Sequence, residues 1–274
     1  RHSARGGGGS DARRDLRGGV GPLAADQGIV LEAVDLTKHF GDFKAVEGVS
    51  FSLAAGERLG VIGPNGAGKT TLINLLSGTL SPTRGYVRFQ GRDVTELPVV
   101  DRARMGLART FQIPQLFEHL SAFENLRITL LSVNNLFGQL LKPADRFAAV
   151  TQRALEILKL FRIPGHLLAR ELSHGHRKLL DVAMSYALEA RVLMLDEPTS
   201  GVSEEEKQEL MELILEAARL RNVALIVVEH DMELVAAHSQ RLGVMRAGRL
   251  VAIGPTQEVM DDPEVRAFVQ GGAA

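Results

Sequence analysis

The chain has 274 residues, of which 45% are hydrophobic and 24% are charged, and it contains no cysteine. This composition is that of a globular protein with a large core, and it excludes disulfides and cysteine-ligated metal sites. The formal net charge of -1 provides no global basic field for nucleic acid or an anionic membrane. No run reaches the roughly 20 apolar residues of a membrane-spanning helix, so work at a membrane would require docking by a partner.

The first 28 residues are rich in Gly, Arg and Asp and contain almost no large apolar side chain. Because such a segment buries too little surface to offset chain entropy, we predict a disordered leader or linker over residues 1–28. The missing initiator Met and the Gly-Gly-Gly-Gly-Ser run fit a trimmed or fused segment as well as a misplaced start. The ordered domain is predicted to span residues 29–272.

Four short stretches after residue 28 have the alternating or compact apolar pattern of β-strands. They are residues 29–36, 45–53, 58–62 and 86–89. A turn at Gly41 and Asp42 would pair the first two strands antiparallel. Residues 69–77 are predicted to form a helix that ends at Gly78, since glycine commonly follows a helix.

From about residue 114 to 170 the pattern is helical, and apolar residues recur at helical spacing in residues 125–133 and 150–161. Strand patterns then return around a charged helix at residues 204–221. The later strands are predicted at residues 192–195, 223–228, 242–246 and 249–253, the last two as a hairpin. Strands that alternate with helices predict an α/β fold with a mainly parallel sheet covered on both faces. An antiparallel β subdomain and an inserted helical subdomain at about 113–170 would complete it.

Residues 63–70, GPNGAGKT, match G-x-x-x-x-G-K-[ST] between a predicted strand and a predicted helix. Glycines let backbone amides curl around phosphate oxygens, and the helix N-terminus adds partial positive charge. Lys69 would reach the β- and γ-phosphates, and the Thr70 hydroxyl would be a Mg²⁺ ligand. The nucleotide-binding residues predicted here are Gly63, Pro64, Asn65, Gly66, Ala67, Gly68, Lys69, Thr70 and Thr71. The loop alone indicates a P-loop NTPase and leaves kinases, GTPases and motors open.

An apolar strand, residues 192–195, ends in two carboxylates, Asp196 and Glu197. Asp196 would hold Mg²⁺ through water. Glu197 would project beyond the strand end, where it can orient and deprotonate an attacking water. Solvated acids after a strand are the alternative, which the neighbouring phosphate loop disfavours.

Five further elements, in order along the chain, resemble motifs of the ABC (ATP-binding cassette) ATPases. They are Phe40 at the adenine-stacking position, Gln112 at the Q-loop, LSHGH at the signature (residues 172–176), residues 200–203 at the D-loop and His230 at the switch histidine. The resemblance covers residues 29–272. It implies a P-loop NTPase fold of the ABC type, with ATP and Mg²⁺ as ligands.

Each of these residues has a plainer interpretation when taken alone. Gln112 is a lone polar residue of the kind usually found on a surface. His230 fits a satisfied histidine at a strand end, and Phe40 fits ordinary core. Ser173 and Gly175 fit the start of a helix near Arg177 that they cap, although a capping geometry is also an anion site.

The family resemblance implies a head-to-tail dimer that sandwiches two ATP molecules. Ser173 and the Gly175 amide would contact the γ-phosphate bound by the partner. His230 would hold the γ-phosphate and the attacking water, and Gln112 would sense Mg²⁺ as a ligand. The catalytic set implied in this way is Glu197, His230, Lys69 and Gln112, and the metal set is Thr70, Gln112 and Asp196.

Three residues depart from the family pattern. His174 and His176 stand where LSGGQ has its second glycine and its glutamine. His176 is the less usual of the two, and it would weaken contact with the partner's nucleotide and slow hydrolysis. Ser203 replaces the usual Asp or Asn of the D-loop, which would loosen communication across the dimer.

Residues 108–126, 228–235 and 252–272 together resemble the hydrophobic amino acid uptake subfamily, which imports branched-chain amino acids, with urea and short amides as relatives. The resemblance implies a peripheral subunit on the cytoplasmic face of the inner membrane. Its partners would be a second ATPase subunit, identical or different, permease subunits that contact the helical subdomain, and indirectly a periplasmic solute-binding protein, but no nucleic acid. A urea or amide importer, an exporter or lipid-extractor ATPase, and a soluble non-transport ABC ATPase are the alternatives.

Overall fold

The computed structural model describes residues 28–110, 115–133 and 144–266. The predictions for the leader at residues 1–27, for Gln112, for the middle of the helical block at residues 134–143 and for the end at residues 267–272 lie outside the described residues.

Strands and helices alternate over most of the described chain. The strands are β1 (Ile29–Phe40), β2 (Phe43–Ala54), β3 (Arg58–Ile62), β4 (Arg84–Phe89), β5 (Arg92–Asp93), β6 (Leu107–Arg109), β7 (Val192–Asp196), β8 (Ala224–Val228), β9 (Arg241–Arg246) and β10 (Arg249–Pro255). The helices are α1 (Lys69–Ser77), α2 (Val99–Arg104), α3 (Ala122–Val133), α4 (Ala144–Leu160), α5 (His174–Ala187), α6 (Glu204–Leu220), α7 (Met232–His238) and α8 (Thr256–Asp261).

The strands form two sheets. One has the order β2-β1-β4-β5 and is antiparallel, so the predicted hairpin of the first two strands is confirmed. The other has the order β10-β9-β3-β8-β7-β6, in which every neighbouring pair is parallel except β9 with β10. The expected α/β architecture with a mainly parallel sheet is therefore confirmed.

The central strands are apolar apart from Arg58 at the start of β3 and Asp196 at the end of β7, because both faces of the parallel sheet are covered. In β7, Leu193 and Leu195 belong to a core cluster that includes buried residues of α5 and α6. Val192 and Met194, which point to the opposite face, belong to a second cluster that contains α1 and the antiparallel sheet. Because β7 lies between two hydrophobic clusters, residues on both of its faces are apolar, which explains the short continuous apolar run at residues 192–195.

Several features differ from the expectations. β6 was not predicted, because three residues are too short to show a period of two. The signature helix was expected near Arg177, yet α5 begins at His174, since the Ser173 hydroxyl accepts a hydrogen bond from the His176 backbone N–H at 3.3 Å and caps the helix there. The cap thus moves the start of the helix into the signature segment.

Helices α3 and α4 lie between β6 and β7 in the chain and pack against each other. Their buried faces carry Leu126 and Leu130 on α3 and Ala154 and Ile157 on α4. Both helices begin earlier than the residues 125–133 and 150–161 in which the apolar periodicity was seen. The helical subdomain boundaries at about 113–170 stay a prediction.

Candidate nucleotide site

The phosphate loop joins β3 to α1, and its backbone admits only glycine at two positions. Gly63 has φ 152° and Gly68 has φ 98°. A Cβ at Gly63 would lie 2.2 Å from the Met245 carbonyl oxygen, and one at Gly68 would lie 2.3 Å from that of Ala45. The loop is therefore pressed against its own scaffold, which holds its amides at the start of α1, where helix geometry favours an anion.

Lys69 is buried and its ammonium curls back onto the loop. Its Nζ donates to the carbonyl oxygens of Gly63 at 2.6 Å and of Pro64 at 3.0 Å. Burial lowers the pKa of Lys69, while the carboxylates of Glu197 and Asp196 act in the opposite direction. A desolvated cation beside an anion-binding loop is well placed to hold phosphate oxygens.

A cleft of about 210 Å³ opens over this loop. Its lining consists of Phe43, Ala45, Asn65, Gly66, Ala67, Gly68, Lys69, Thr70, Thr71, Glu197 and His230. The structure thus brings most of the predicted phosphate loop together with two predicted catalytic residues that lie more than 100 positions further along the chain. Within the described chain, this lining includes neither Ser173 nor Gly175.

Asp196 is the last residue of β7, and its side chain is 2% exposed. Its Oδ2 accepts from Arg109 Nη2 at 3.0 Å, and Arg109 also donates to Asn74 on α1. Burial raises the pKa of Asp196, and the adjacent Arg109 opposes that shift. Its Oδ1 is buried without a hydrogen-bond partner among the described residues, so the carboxylate retains an acceptor for a further ligand.

Glu197 turns out of the strand in a left-handed conformation, with φ 51°. Its backbone N–H donates to the Val228 carbonyl oxygen at 2.8 Å. Its Oε1 lies 2.6 Å from His230 Nε2, and the Glu197 side chain is 15% exposed against 46% for His230. A non-glycine residue with positive φ is uncommon and clusters at functional sites.

The two aromatic residues at the tip of the first hairpin do not both line the cleft. Phe43 does, and it is 63% exposed. Phe40, its cross-strand partner, is 50% exposed and carries the Lys38 ammonium 5.3 Å from its ring centroid. The alternative that Phe40 is ordinary core is therefore wrong. Sequence reasoning missed Phe43, although the predicted turn at 41 and 42 places it opposite Phe40.

Comparison with known proteins identifies the family. A family model described as ABC transporter matches residues 46–200. The chain is 36% identical over 244 residues to the high-affinity branched-chain amino acid transport ATP-binding protein BraF of Pseudomonas aeruginosa, which is 86% of this chain and 95% of the relative. It is 37% identical over 256 residues to the corresponding protein LivG of Salmonella typhimurium, 90% and 98% of the two chains. The chain belongs to the ABC transporter family.

A solved structure supports this assignment at the level of the fold. The ADP conformation of an ATP-binding cassette of an ABC transporter superposes with a TM-score of 0.76 at 30% identity, over 89% of this chain and 98% of the other. The protein is thus an ABC ATPase that binds nucleotide. None of the helices in the described part of this ABC ATPase has the length and apolar character to cross a membrane.

In the signature segment of this ABC ATPase, the Ser173 hydroxyl makes hydrogen bonds within the segment itself. Besides the capping bond, Ser173 Oγ lies 3.0 Å from His176 Nδ1. A Cβ at Gly175 would meet Val202 and Glu206 only at 3.8 Å or more, so the close packing seen at Gly63 and Gly68 is not repeated here. The serine hydroxyl and the imidazole at the departure from LSGGQ form one hydrogen-bonded unit.

The D-loop serine has a structural task as well. Ser203 caps α6, with its hydroxyl oxygen 3.4 Å from the Glu206 backbone nitrogen and 3.1 Å from Glu206 Oε2. Serine serves as an N-cap about as well as Asp or Asn. The departure at this position therefore preserves the start of the helix.

Sequence reasoning missed three charged residues that surround the acidic strand end. They are Arg109, Lys178 and Glu229, and each is largely buried. Lys178 and Glu229 stand beside other charged or polar residues in the sequence, so nothing local marked them as buried charges that need a partner. The partner of each buried charge is distant in the sequence, so no local pattern reveals which residue it is.

Proposed function

We propose that Glu197 acts as the general base of ATP hydrolysis and that Lys69 and His230 hold the phosphate being transferred. The convergence of Glu197, His230 and the phosphate loop on one cleft carries this proposal. The Glu197 carboxylate would accept a proton from the attacking water, and His230 Nε2, 2.6 Å from Oε1, would orient the carboxylate. Lys69 would exchange its bonds to the Gly63 and Pro64 carbonyls for the phosphate oxygens.

The residues present fit a Mg²⁺ ion bound with the nucleotide. Thr70 lines the cleft, and the buried Asp196 Oδ1 has no hydrogen-bond partner among the described residues. A Mg²⁺ ion held by one or two protein oxygens would take its other ligands from phosphate and water. When bound, the ion would neutralise charge on the phosphates. Gln112 is proposed as a further ligand.

We further propose that the active sites are completed by a second ATPase subunit in a head-to-tail dimer. Ser173 and Gly175, whose family role is to contact the γ-phosphate, lie outside the lining of the cleft in their own chain. A partner's signature segment would supply these donors over the Lys69 cleft. The partner is either a second copy or a related subunit.

The transported solute is proposed from the relatives. Two of them, 36% and 37% identical over most of both chains, are named as branched-chain amino acid transport ATP-binding proteins. We propose that this chain powers import of branched-chain amino acids from the cytoplasmic face of the inner membrane, docked on permease subunits that receive solute from a binding protein. The helical subdomain, where Phe117 is 53% exposed, is the proposed docking surface.

Uptake in the source organism tests this function. Deleting the gene is expected to reduce uptake of labelled leucine, and the wild-type gene but not the Lys69→Ala variant is expected to restore it. Labelled urea measured in parallel addresses the amide-importer alternative. Leucine uptake that is unchanged by the deletion would contradict the proposal.

A further inference from the structure

The turn at residues 197–200 carries Glu197 out of β7 toward the cleft. It is closed by a hydrogen bond from the Ser200 N–H to the Glu197 carbonyl oxygen at 3.2 Å. Because Glu197 is left-handed, with φ 51°, this turn persists only where its surroundings hold it. The groups that hold it therefore control where the carboxylate lies.

Lys178 holds the turn from helix α5. Its Nζ donates to the Glu197 carbonyl oxygen at 3.2 Å and to Ser200 Oγ at 3.2 Å, and the residue is 7% exposed. Burial lowers the pKa of the ammonium, while nearby carboxylates, of which Asp181 is the strongest, act against that shift. The Glu197 backbone is consequently tied at both ends, through its N–H to β8 and through its carbonyl to α5.

Glu229 holds the turn from the end of β8. Its Oε1 accepts from the Thr199 backbone N–H at 2.7 Å and from Thr199 Oγ1 at 2.6 Å. Its Oε2 accepts from the His230 backbone N–H at 3.2 Å. One buried carboxylate thus joins the turn to the residue that contacts the Glu197 side chain, through bonds of the charge-assisted kind.

We propose that Lys178 and Glu229 are positioning residues for hydrolysis, which hold the 197–200 turn and link the signature helix to Glu197 and His230. Lys178 lies on α5 within one turn of Gly175 and so connects the segment that would contact the partner's nucleotide with the general base of its own site. A displacement of the start of α5 would reach Glu197 through its carbonyl oxygen. The inference rests on the proposed role of Glu197.

The test compares Lys178→Met, which keeps the aliphatic length without the charge, with Lys178→Arg, which keeps the charge. In the purified full-length chain, Lys178→Met is expected to lower kcat about tenfold with ATP affinity within about twofold of wild type, and Lys178→Arg to recover part of the loss. Glu229→Gln is expected to act in the same direction. Lys159→Met, an exposed residue on α4, is the matched control.

A double-variant cycle separates positioning from general damage. If Lys178 acts through Glu197, the Lys178→Met effect on single-turnover hydrolysis disappears in a Glu197→Gln background. Amide hydrogen exchange of the peptide containing residues 197–200 is expected to be faster in Lys178→Met, because the turn loses its contact with α5. Ser200→Ala, which removes one acceptor and leaves Lys178 in place, provides a milder variant with a smaller effect if Lys178→Met does not fold.

Unchanged kcat and exchange in these variants, or an equal loss in the Glu197→Gln background, would overturn the inference. Glu197→Gln alone tests the underlying role. Wild-type turnover in Glu197→Gln would remove Glu197 as the base, whereas slow turnover in Glu197→Gln with normal turnover in Lys178→Met would remove only the positioning role.

Discussion

At the scale of single residues, the contact between Glu197 and His230 organises the proposed chemistry. With the proton on Nε2, His230 donates to Glu197 Oε1 across 2.6 Å and fixes one carboxylate oxygen. Two residues from the ends of neighbouring strands in this way define one orientation of the carboxylate.

Glu197→Gln is expected to slow ATP hydrolysis by roughly 10²–10⁴-fold, the range for loss of a general base. The amide keeps the shape of the side chain but accepts no proton at neutral pH. Steady-state phosphate release measures the change, and Glu205→Gln, an exposed residue on α6, is the control. Unchanged turnover would remove Glu197 from its role.

His176→Gln is expected to raise kcat about threefold, the equivalent of one modest hydrogen bond. In wild type the imidazole lies 3.0 Å from the Ser173 hydroxyl, and in the proposed dimer it would compete with the partner's phosphate for that hydroxyl. A glutamine at this helix position reaches instead to the backbone N–H of the capping residue. His166→Gln, at an exposed position after α4, is the control. A kcat of His176→Gln equal to that of wild type would show that the departure from LSGGQ at residue 176 is neutral.

At the scale of secondary structure elements, the C-terminus of α1 depends on one buried arginine. Arg102 is 1% exposed, and its Nη1 donates to the carbonyl oxygens of Leu75 at 2.9 Å and Leu76 at 2.8 Å. A Cβ at Gly78 would lie 2.6 Å from its Nε. The cation satisfies the carbonyls that a helix end leaves free and complements the helix dipole.

Arg102→Met is expected to lower the free energy of unfolding by about 3 kcal/mol, because buried carbonyl oxygens lose a charged donor. Denaturant unfolding followed by circular dichroism measures the loss. Arg104→Met, on the same helix but exposed, is expected to change little. Equal midpoints for the two variants would contradict the proposed cap.

His238 gives a pH dependence to the packing of α6 and α7, since its Nε2 lies 3.1 Å from Gln208 Oε1. Burial is the main cause that lowers the pKa of His238 below its ordinary value of 6.5. The unfolded chain therefore takes up a proton at this site more readily, and the free energy of unfolding falls as the pH decreases below about 6.5. Measured from pH 7.5 to 5.5, His238→Gln is expected to lose less stability than wild type; parallel profiles would contradict the shift.

At the scale of the whole molecule, the order of strands in the parallel sheet creates the site. β3, β8 and β7 are neighbours, and their carboxyl ends lead into the phosphate loop, His230 and Glu197 respectively. Ligands bind at the carboxyl ends of strands in such sheets. The signature segment starts a different helix, which leaves its serine outside the cleft it would complete in a partner.

With ATP and Mg²⁺, the Glu197→Gln variant is expected to form a dimer, with twice the 29.7 kDa mass of the chain in sedimentation. The reason is that unhydrolysed ATP would keep two subunits together. The double variant with Lys69→Ala is expected to remain a monomer, since it loses the ammonium that holds the phosphates. Analytical ultracentrifugation checks both. A monomer in every condition would contradict self-pairing and require a different ATPase subunit as partner.

The features that could be predicted from the sequence are those that neighbouring residues set. They are the spacing of the phosphate loop, the apolar run before Asp196 and Glu197, and the order of strands and helices. Sequence resemblance also matched His230 to the switch histidine, and the structure brings His230 to Glu197. These patterns are visible because periodicity and turn preference act over a few positions.

The partners of the buried charges and the aromatic residue that lines the cleft could not be predicted from the sequence, because they depend on tertiary contacts. Arg109 meets Asp196 across 87 positions, and Glu229 meets Thr199 across 30. Phe43, not its neighbour across the turn, lines the cleft. Such contacts depend on the order of strands in the sheet and on the need of buried charges for partners. Neither cause produces a periodic pattern in the sequence. The amino-acid pattern therefore predicted an ATP-binding cassette, whereas the tertiary contacts hold the turn that carries Glu197, the proposed general base.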